Sequence, residues 1–282
     1  MTKINVLDNG YVRLVDVMGS ELSIVNAARV SYDKESTEFD EKDVKLLDFL
    51  IREKHLSPFR HVAMTFEVYS PLMVARQHWK YAVGSAHLDD QNAWNESSRR
   101  YITENEVFYI PNDEAWRSKP ANSKQGSGEP ISDEYGKQLS KLLQDHITKS
   151  ESLYDYAMQI GAAPELARLF LPAYSMYIRY RWTCSLASVI HFLNERLKED
   201  AQFEIREYAK AVYDLVQPHF PNCIDKLVDS DSQPKNYTIK KMNNDISDIV
   251  DKAKALHENA LGHWEVIYNP DPINFNMGAK NE

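Results

Sequence analysis

The segment spanning residues 76 to 101 combines residue types that bind small anionic ligands. It reads RQHWKYAVGSAHLDDQNAWNESSRRY and ends in the motif NESSRRY. Guanidinium groups bind phosphate and carboxylate through paired hydrogen bonds, and hydroxyls fill the remaining positions. Glu96, Ser98 and Arg100 are therefore candidates to meet on one ligand that carries a phosphate. The alternative for this segment alone is a solvated face of paired charges, which is common on protein surfaces.

Two arginines further along the chain sit in strongly apolar sequence. Arg168 lies within PELARLFLP, and Arg196 follows HFLNE. An unpaired charge in apolar surroundings is costly, so we expect a bound anion or a buried carboxylate beside each guanidinium. The alternative is a surface arginine whose methylene stem covers apolar atoms.

Several other kinds of site find no support in the sequence. The histidines show neither HxxxH nor HxH spacing, so separate histidines are favoured over a metal cluster, and no metal is predicted. The glycines form neither GxGxxG nor a Walker loop, and Gly126-Ser127-Gly128 is typical of a flexible loop tip. No GxSxG elbow is present, which argues against Ser98 as a hydrolase nucleophile.

Composition places the chain among soluble globular proteins. Of its 282 residues, 43% are hydrophobic and 27% are charged, and the net charge is −9. A negative protein does not favour binding to a nucleic-acid polymer, although a local arginine cluster can still hold a nucleotide. Two distant cysteines and the absence of a signal-like or membrane-spanning apolar run predict a cytoplasmic protein that does not associate with a membrane.

The pattern of apolar residues predicts an α/β fold. Short strands surround Asn9-Gly10, and residues 62–69 alternate as a third strand. Helical spacing follows Ser23, Asp43 and Pro71, and helices are predicted over about 134–160, after Pro164 and across 183–220. Residues 112–134 are rich in Pro, Gly, Ser and Asn, which predicts a long surface loop. We expect a catalytic domain over 1–225 and a polar, partly helical extension over 226–282.

Several blocks in this order resemble the flavin-dependent thymidylate synthases, the ThyX family. They are LDNGYVRLVDVMGSELSIVNAARVSYD, SPFRHVAMTFEV, PLMVARQ, NESSRRY, PELARLFLP and HFLNERLKEDAQFEI, and they cover most of residues 1–220. The resemblance implies a ThyX-like fold, in which a small antiparallel or mixed sheet packs against a helical majority. It also implies a homotetramer whose active sites are built from more than one subunit.

The activity implied by the resemblance is conversion of dUMP to dTMP without a cysteine nucleophile. The carbon would come from 5,10-methylenetetrahydrofolate, and the reducing equivalents from NADPH through FAD. Arg196 would be the catalytic residue, because a guanidinium stays protonated and can stabilise the ionised pyrimidine N3. The residues implied to bind the nucleotide are Gln77, Lys80, Glu96, Ser97, Ser98, Arg99, Arg100, Arg168 and Arg196.

The cofactor side of the predicted site departs from the family pattern. Ser31 and His55 match positions that contact the flavin, and Glu96 is also assigned to the cofactor side. Lys80-Tyr81-Ala82 stand where the family signature begins Arg-His-Arg, and about eight extra residues, roughly 86–93, precede Trp94. Ser185 and His191 occupy positions at which the family has asparagine. Lys80, Tyr81, Ser185 and His191 are accordingly the expected replacement contacts, together with HLDDQN and the loop at 124–127.

Three functions follow from this reading. The first is a divergent flavin-dependent thymidylate synthase that holds FAD through other contacts. The second is a related enzyme that hydroxymethylates a pyrimidine nucleotide at C5, a product that needs no final reduction. The third is a nucleotide-binding protein that has lost catalysis and kept its phosphate contacts.

Overall fold

The chain begins with a tight β-hairpin. The computed structural model describes residues 3–85, 93–97, 107–120 and 126–228, all within one compact unit that spans Met1–Pro234. Strands β1 (Lys3–Val6) and β2 (Gly10–Met18) pair antiparallel, with Val6 opposite Gly10. A Cβ at Gly10 would lie 1.9 Å from the Tyr208 hydroxyl, so this close approach requires glycine. The hairpin predicted around Asn9-Gly10 is confirmed.

Three more strands complete an antiparallel sheet. They are β3 (Ala63–Pro71), β4 (Ala93–Glu96) and β5 (Tyr177–Ser185), and the sheet order is β1-β2-β3-β5-β4. On one face the apolar residues are buried, with Phe66 stacked on Trp182 at 5.4 Å. The other face is polar, and Glu67 bonds Arg13 there at 2.8 Å. This alternation is what a half-buried sheet requires.

Helices form most of the remaining structure. Their bounds are α1 (Glu21–Arg29), α2 (Glu41–Arg52), α3 (Leu72–Ser85), α4 (Asp133–Gln159), α5 (Pro164–Ala167), α6 (Leu186–Arg196), α7 (Phe203–Val216) and α8 (Ile224–Leu227). Polar caps fix several starts: the Asp40 side chain accepts from the backbone N–H groups of Lys42 and Asp43, and Ser132 caps α4. Helices α3, α6 and α7 pack on the apolar face of the sheet.

The fold class is confirmed, but β4 and β5 are not among the predicted strands, and β5 overlaps the start of a predicted helix. Residues 183–185, predicted to begin a helix, instead end β5, and α6 starts at Leu186. Residues 197–202 then separate α6 from α7, so the region divides into two helices. Within the parts of the chain that the structure describes, no helix is long and apolar enough to cross a membrane.

Candidate active site

The predicted site residues that lie far apart in sequence meet because two strands run directly into two helices. Strand β3 passes into α3, which carries Gln77, Lys80 and Tyr81. Its neighbour β5 passes into α6, which carries His191 and Arg196. The two strands pair over their full length, and α3 packs against α6. The sheet therefore sets the relative position of the two helices.

Arg196 is held by an aromatic ring from the other helix. Its Nη2 donates a hydrogen bond of 2.6 Å to the Tyr81 hydroxyl, and its guanidinium carbon lies 3.8 Å from the centre of that ring. The Nε of Arg196 is buried and has no hydrogen-bond partner among the described residues. The adjacent Glu195 carboxylate bonds Lys198 at 2.8 Å. Arg196 is thus a fixed cation that still has donors for a ligand.

A buried histidine supports this helix pair from beneath. His78 is 2% exposed, and its ring lies 4.4 Å from the rings of both Trp182 and Phe192. Its Nδ1 forms a hydrogen bond of 2.9 Å with the Tyr180 hydroxyl. Burial lowers the pKa of His78 to about 3, because charge is unfavourable among these rings. The neutral imidazole therefore acts as part of the core.

Strand β4 brings Glu96 to the same side of the sheet. Trp94 stacks on Tyr180 with ring centres 4.0 Å apart, and its Nε1 donates to Glu96 at 3.4 Å. A cleft of about 170 Å³ opens here, lined by Leu72, Ala75, Arg76, Trp79, Trp94 and Glu96. Indole faces beside a cation and an anion suit a planar ligand with polar edges. Ligand sites usually measure about 300–1,000 Å³, so this cleft is only part of one.

Gln77 is oriented by a chain of polar groups. Its Nε2 donates to Oε1 of Gln202, whose own Nε2 donates to Glu204 at 2.7 Å. A carboxylate only accepts hydrogen bonds, so Glu204 fixes the direction of both amides. As a result, the Oε1 of Gln77 is left as the acceptor that this side chain can offer to a ligand.

Other predicted residues are not brought together within one chain. Ser31, His55 and Arg168 are exposed, and Arg168 bonds the Glu165 carbonyl at 3.2 Å through Nε. The expectation that Arg168 lies in apolar surroundings that bury its charge is therefore wrong for the single chain. It is flanked by exposed apolar side chains, among them Leu169 at 78% and Tyr174 at 70% exposure.

Two predicted positions, Ser185 and Ser97, have partners within the fold, and three others cannot be placed. Ser185 is buried and accepts from the Ser188 backbone N–H at 3.3 Å, so it caps α6. Ser97 extends the β4–β5 pairing through a 2.8 Å bond from its N–H to the Arg179 carbonyl. Lys80 and His191 are exposed on α3 and α6. The predicted nucleotide contacts Ser98, Arg99 and Arg100 lie outside the described residues, as does part of the 124–127 loop.

Sequence reasoning missed the residues that support the site. Gln202 and Glu204 lie in the block HFLNERLKEDAQFEI, but their polar types on a helical pattern gave no sign of contact with Gln77. His78 entered only as one of several histidines without metal spacing. Its position directly after Gln77, next to Trp79, was the available signal for an aromatic cluster.

Comparisons with known proteins agree with this geometry. The flavin-dependent thymidylate synthase of Thermus thermophilus is 39% identical over 218 residues, which cover 77% of this chain and 75% of that protein. The enzyme of the same name from Thermosipho melanesiensis is 36% identical over 216 residues, 77% of this chain and 89% of the relative.

Solved structures give the same result. A UMP/dUMP methylase, PolB of Streptomyces cacaoi, bound with 5-Br UMP, is 26% identical with a TM-score of 0.66, over 79% of this chain and 95% of that one. The same protein bound with 5-Br dUMP gives 27% identity and a TM-score of 0.67. Residues 13–222 match the family described as thymidylate synthase complementing protein. The chain belongs to this family, and its resemblance to the flavin-dependent thymidylate synthases is confirmed.

Proposed function

We propose that this protein methylates dUMP at C5 to give dTMP, with 5,10-methylenetetrahydrofolate as carbon donor and NADPH as reductant. The observation that carries this proposal is the fixed guanidinium of Arg196, held by Tyr81 with its Nε buried and unpartnered among the described residues. In this role Arg196 stabilises negative charge at pyrimidine N3. Ionised N3 raises the electron density at C5, which then reacts with the one-carbon unit.

The two cysteines support a mechanism without a thiolate nucleophile. Cys184 lies in β5 and Cys223 follows the turn at 217–219, and both side chains are 0% exposed. Burial raises the pKa of the Cys223 thiol well above its usual range. A buried thiol is poorly placed to attack a pyrimidine, which supports activation of the base by the charge of Arg196.

The side chains available to a flavin are the exposed ones among the predicted cofactor positions. Lys80 and His191 lie on α3 and α6 with their side chains exposed, and Ser31 and His55 are also exposed. An ammonium group and a hydroxyl suit a diphosphate, so this donor set fits FAD. When bound, the flavin supplies the reducing equivalents. Tyr81 and Ser185 contribute less, because the Tyr81 ring contacts Arg196 and the Ser185 hydroxyl caps α6.

We further propose that the active site is completed by a second copy of this chain in a homotetramer. Exposed apolar residues support this assembly: Leu142, Tyr156, Ile160, Leu166, Leu169, Phe170 and Tyr174. They lie on α4, α5 and the residues that follow these helices, and α4 packs against α5 and residues 168–170. Exposed apolar patches mark protein interfaces. Arg168 lies among these residues, where an approaching subunit would receive its guanidinium. The small volume of the cleft beside Trp94 fits a site that needs another subunit.

A direct assay tests the function. The full chain is incubated with dUMP, methylenetetrahydrofolate, NADPH and FAD, and the product is identified by mass. We expect a methyl product, and flavin absorbance that NADPH bleaches. A hydroxymethyl product would replace methylation with the related C5 reaction, and nucleotide binding without turnover would leave a binding protein. UMP is assayed in parallel, because the solved neighbour is a methylase of UMP and dUMP.

A further inference from the structure

The contact between Tyr81 and Arg196 joins two helices through one residue from each. It has two components, the hydrogen bond of 2.6 Å to the hydroxyl and the guanidinium packed 3.8 Å from the ring centre. An arginine side chain has many rotamers, and ordering it costs conformational entropy. Two contacts to a single rigid ring restrict the guanidinium in both position and tilt. This restriction comes from the chain's own residues.

Within the described chain, Tyr81 is better placed to hold Arg196 than to hold a cofactor. The guanidinium lies over its ring, and the hydroxyl already accepts from Nη2. The nearest aromatic neighbour in α6 is His191, with ring centres 6.3 Å apart and an exposed imidazole. Among the described residues no carboxylate forms a salt bridge with Arg196, and the neighbouring Glu195 pairs with Lys198 instead. The ring of Tyr81 is thus the partner that contacts the guanidinium directly. A neutral partner leaves the full positive charge available to a ligand.

We propose that Tyr81 is the positioning residue of Arg196 and directs its remaining N–H donors toward the pyrimidine. The inference rests on the proposed function in one respect, namely that Arg196 faces the base of the nucleotide. Tyr81 itself does not contact the substrate in this assignment. It acts by fixing the direction of the charge that stabilises ionised N3, so its loss weakens the effect of Arg196 without removing the charge.

The first experiment is a cycle of four chains: unsubstituted, Tyr81→Phe, Arg196→Ala and the double variant. Phenylalanine keeps the ring face and removes only the acceptor. We expect Tyr81→Phe to weaken dUMP binding by about fivefold in calorimetry, since a hydrogen bond to a charged group is lost. In the Arg196→Ala background the same change should have no further effect. The proposal would be overturned if Tyr81→Phe weakened dUMP binding equally in the unsubstituted and the Arg196→Ala chains. It would also be overturned if the change left dUMP affinity unaltered in the unsubstituted chain.

The pH dependence of turnover gives a readout that a merely structural role does not change. We expect Tyr81→Phe to lower kcat/KM by about tenfold near neutral pH, where N3 needs the charge of Arg196 to ionise. In mildly alkaline buffer the deficit should shrink, because more of the base ionises unaided. A deficit of the same size at every pH would contradict positioning. Tyr213→Phe is the matched control, since its hydroxyl bonds Asp225 on the exposed side of α7.

Failure of the inference can be separated from failure of the proposed function. No dUMP binding or turnover by the unsubstituted chain would count against the function. The contact itself is then tested by urea unfolding of the same four chains. Additive changes in unfolding free energy would show that the residues are not coupled and would overturn the inference, whereas non-additive changes support it.

Discussion

Two regions of this molecule differ in whether their site residues have partners within the chain. In the region formed by α3, α6 and β4, site side chains have partners within the chain: Gln77 bonds Gln202, Tyr81 bonds Arg196, and Trp94 stacks on Tyr180. In what we call the outer region, formed by Ser31, His55 and Arg168, the side chains are exposed. The ring of His55 meets the edge of the Phe49 ring, with ring centres 6.0 Å apart.

The difference separates what one chain organises alone from what it leaves to another molecule. Side chains that already have their bound geometry lose little entropy when a ligand arrives, which raises affinity and rate. Exposed side chains gain their partners only when a cofactor or a second subunit covers them. The inner region, formed by α3, α6 and β4, is therefore organised by contacts within one chain, whereas the outer region would gain its partners in the proposed homotetramer or from the cofactor.

The largest expected effect comes from removing the charge at the centre of the inner region. Arg196→Ala should lower kcat by about 10²–10³-fold or more, because a preorganised donor to developing charge is lost. Circular dichroism should show an intact fold, since the side chain is only half-buried. Arg52→Ala is the control, as Arg52 pairs with Glu53 on exposed α2. Near-normal turnover in Arg196→Ala would remove this residue from the mechanism.

A mixing experiment tests the dependence of the outer region on a second copy. Arg168→Ala alone should raise the nucleotide KM by about tenfold or more, since a charge-assisted phosphate contact is lost. If the two arginines reach one site from different subunits, co-refolding Arg168→Ala with Arg196→Ala should restore some sites with both guanidiniums. Activity above that of either variant supports shared sites. No recovery, in tetramers confirmed by light scattering, would place both residues in one subunit.

Reversing the polarity of the Gln77 chain should have a smaller effect. In Glu204→Gln the new amide can donate a hydrogen bond to Gln202. The side-chain amides of Gln202 and Gln77 can then both flip, and Gln77 no longer has to present its oxygen to the ligand. We expect the nucleotide KM to rise by about fivefold with little change in kcat. Glu207→Gln on the same helix is the control, because Glu207 bonds Lys210 instead. An unchanged KM in Glu204→Gln would mean that Gln77 is oriented by other groups.

The last expected effect is on stability and its pH dependence rather than on kcat or KM. The pKa of His78 falls from its ordinary value of 6.5 to about 3 in the folded chain. Below about pH 6.5 the unfolded chain therefore binds more protons at this residue than the folded chain does. This contribution to stability is complete above about pH 6.5 and is lost as pH falls toward about 3, by up to about 1.4 kcal/mol per pH unit. His78→Gln should flatten the slope of unfolding free energy against pH, whereas exposed His219→Gln should not. Equal slopes for the two variants would contradict the assigned burial.

The sequence predicts the fold class and the early elements because their signals are local. Asn9-Gly10 marks a hairpin, and Pro71 marks the start of α3. Strand β5 was missed although Arg179, Arg181 and Thr183 alternate with buried Ile178, Tyr180 and Trp182. The alternation of exposed and buried residues in β5 was overlooked because residues with apolar helical spacing begin directly after it.

The site residues that were predictable are those that carry charge or belong to a motif. Glu96 and Arg196 could be named from the sequence, and the structure positions both on elements joined by the sheet. The supporting contacts could not be named, because Tyr81 meets Arg196 across 115 positions of chain and Gln77 meets Gln202 across 125. Such contacts depend on how β3 pairs with β5, which no local pattern specifies.

The direct passage of β3 into α3 and of β5 into α6 constrains how this protein can change in length. One residue added to either strand would displace its helix by about 3.3 Å and move the following side chains to the opposite face of the sheet, which would separate Tyr81 from Arg196. Insertions between α3 and β4 leave both junctions unchanged. The extra residues that the family resemblance predicts, roughly 86–93, fall in that interval. Evolution can therefore lengthen the chain beside the site while the spacing that the chemistry requires is inherited intact.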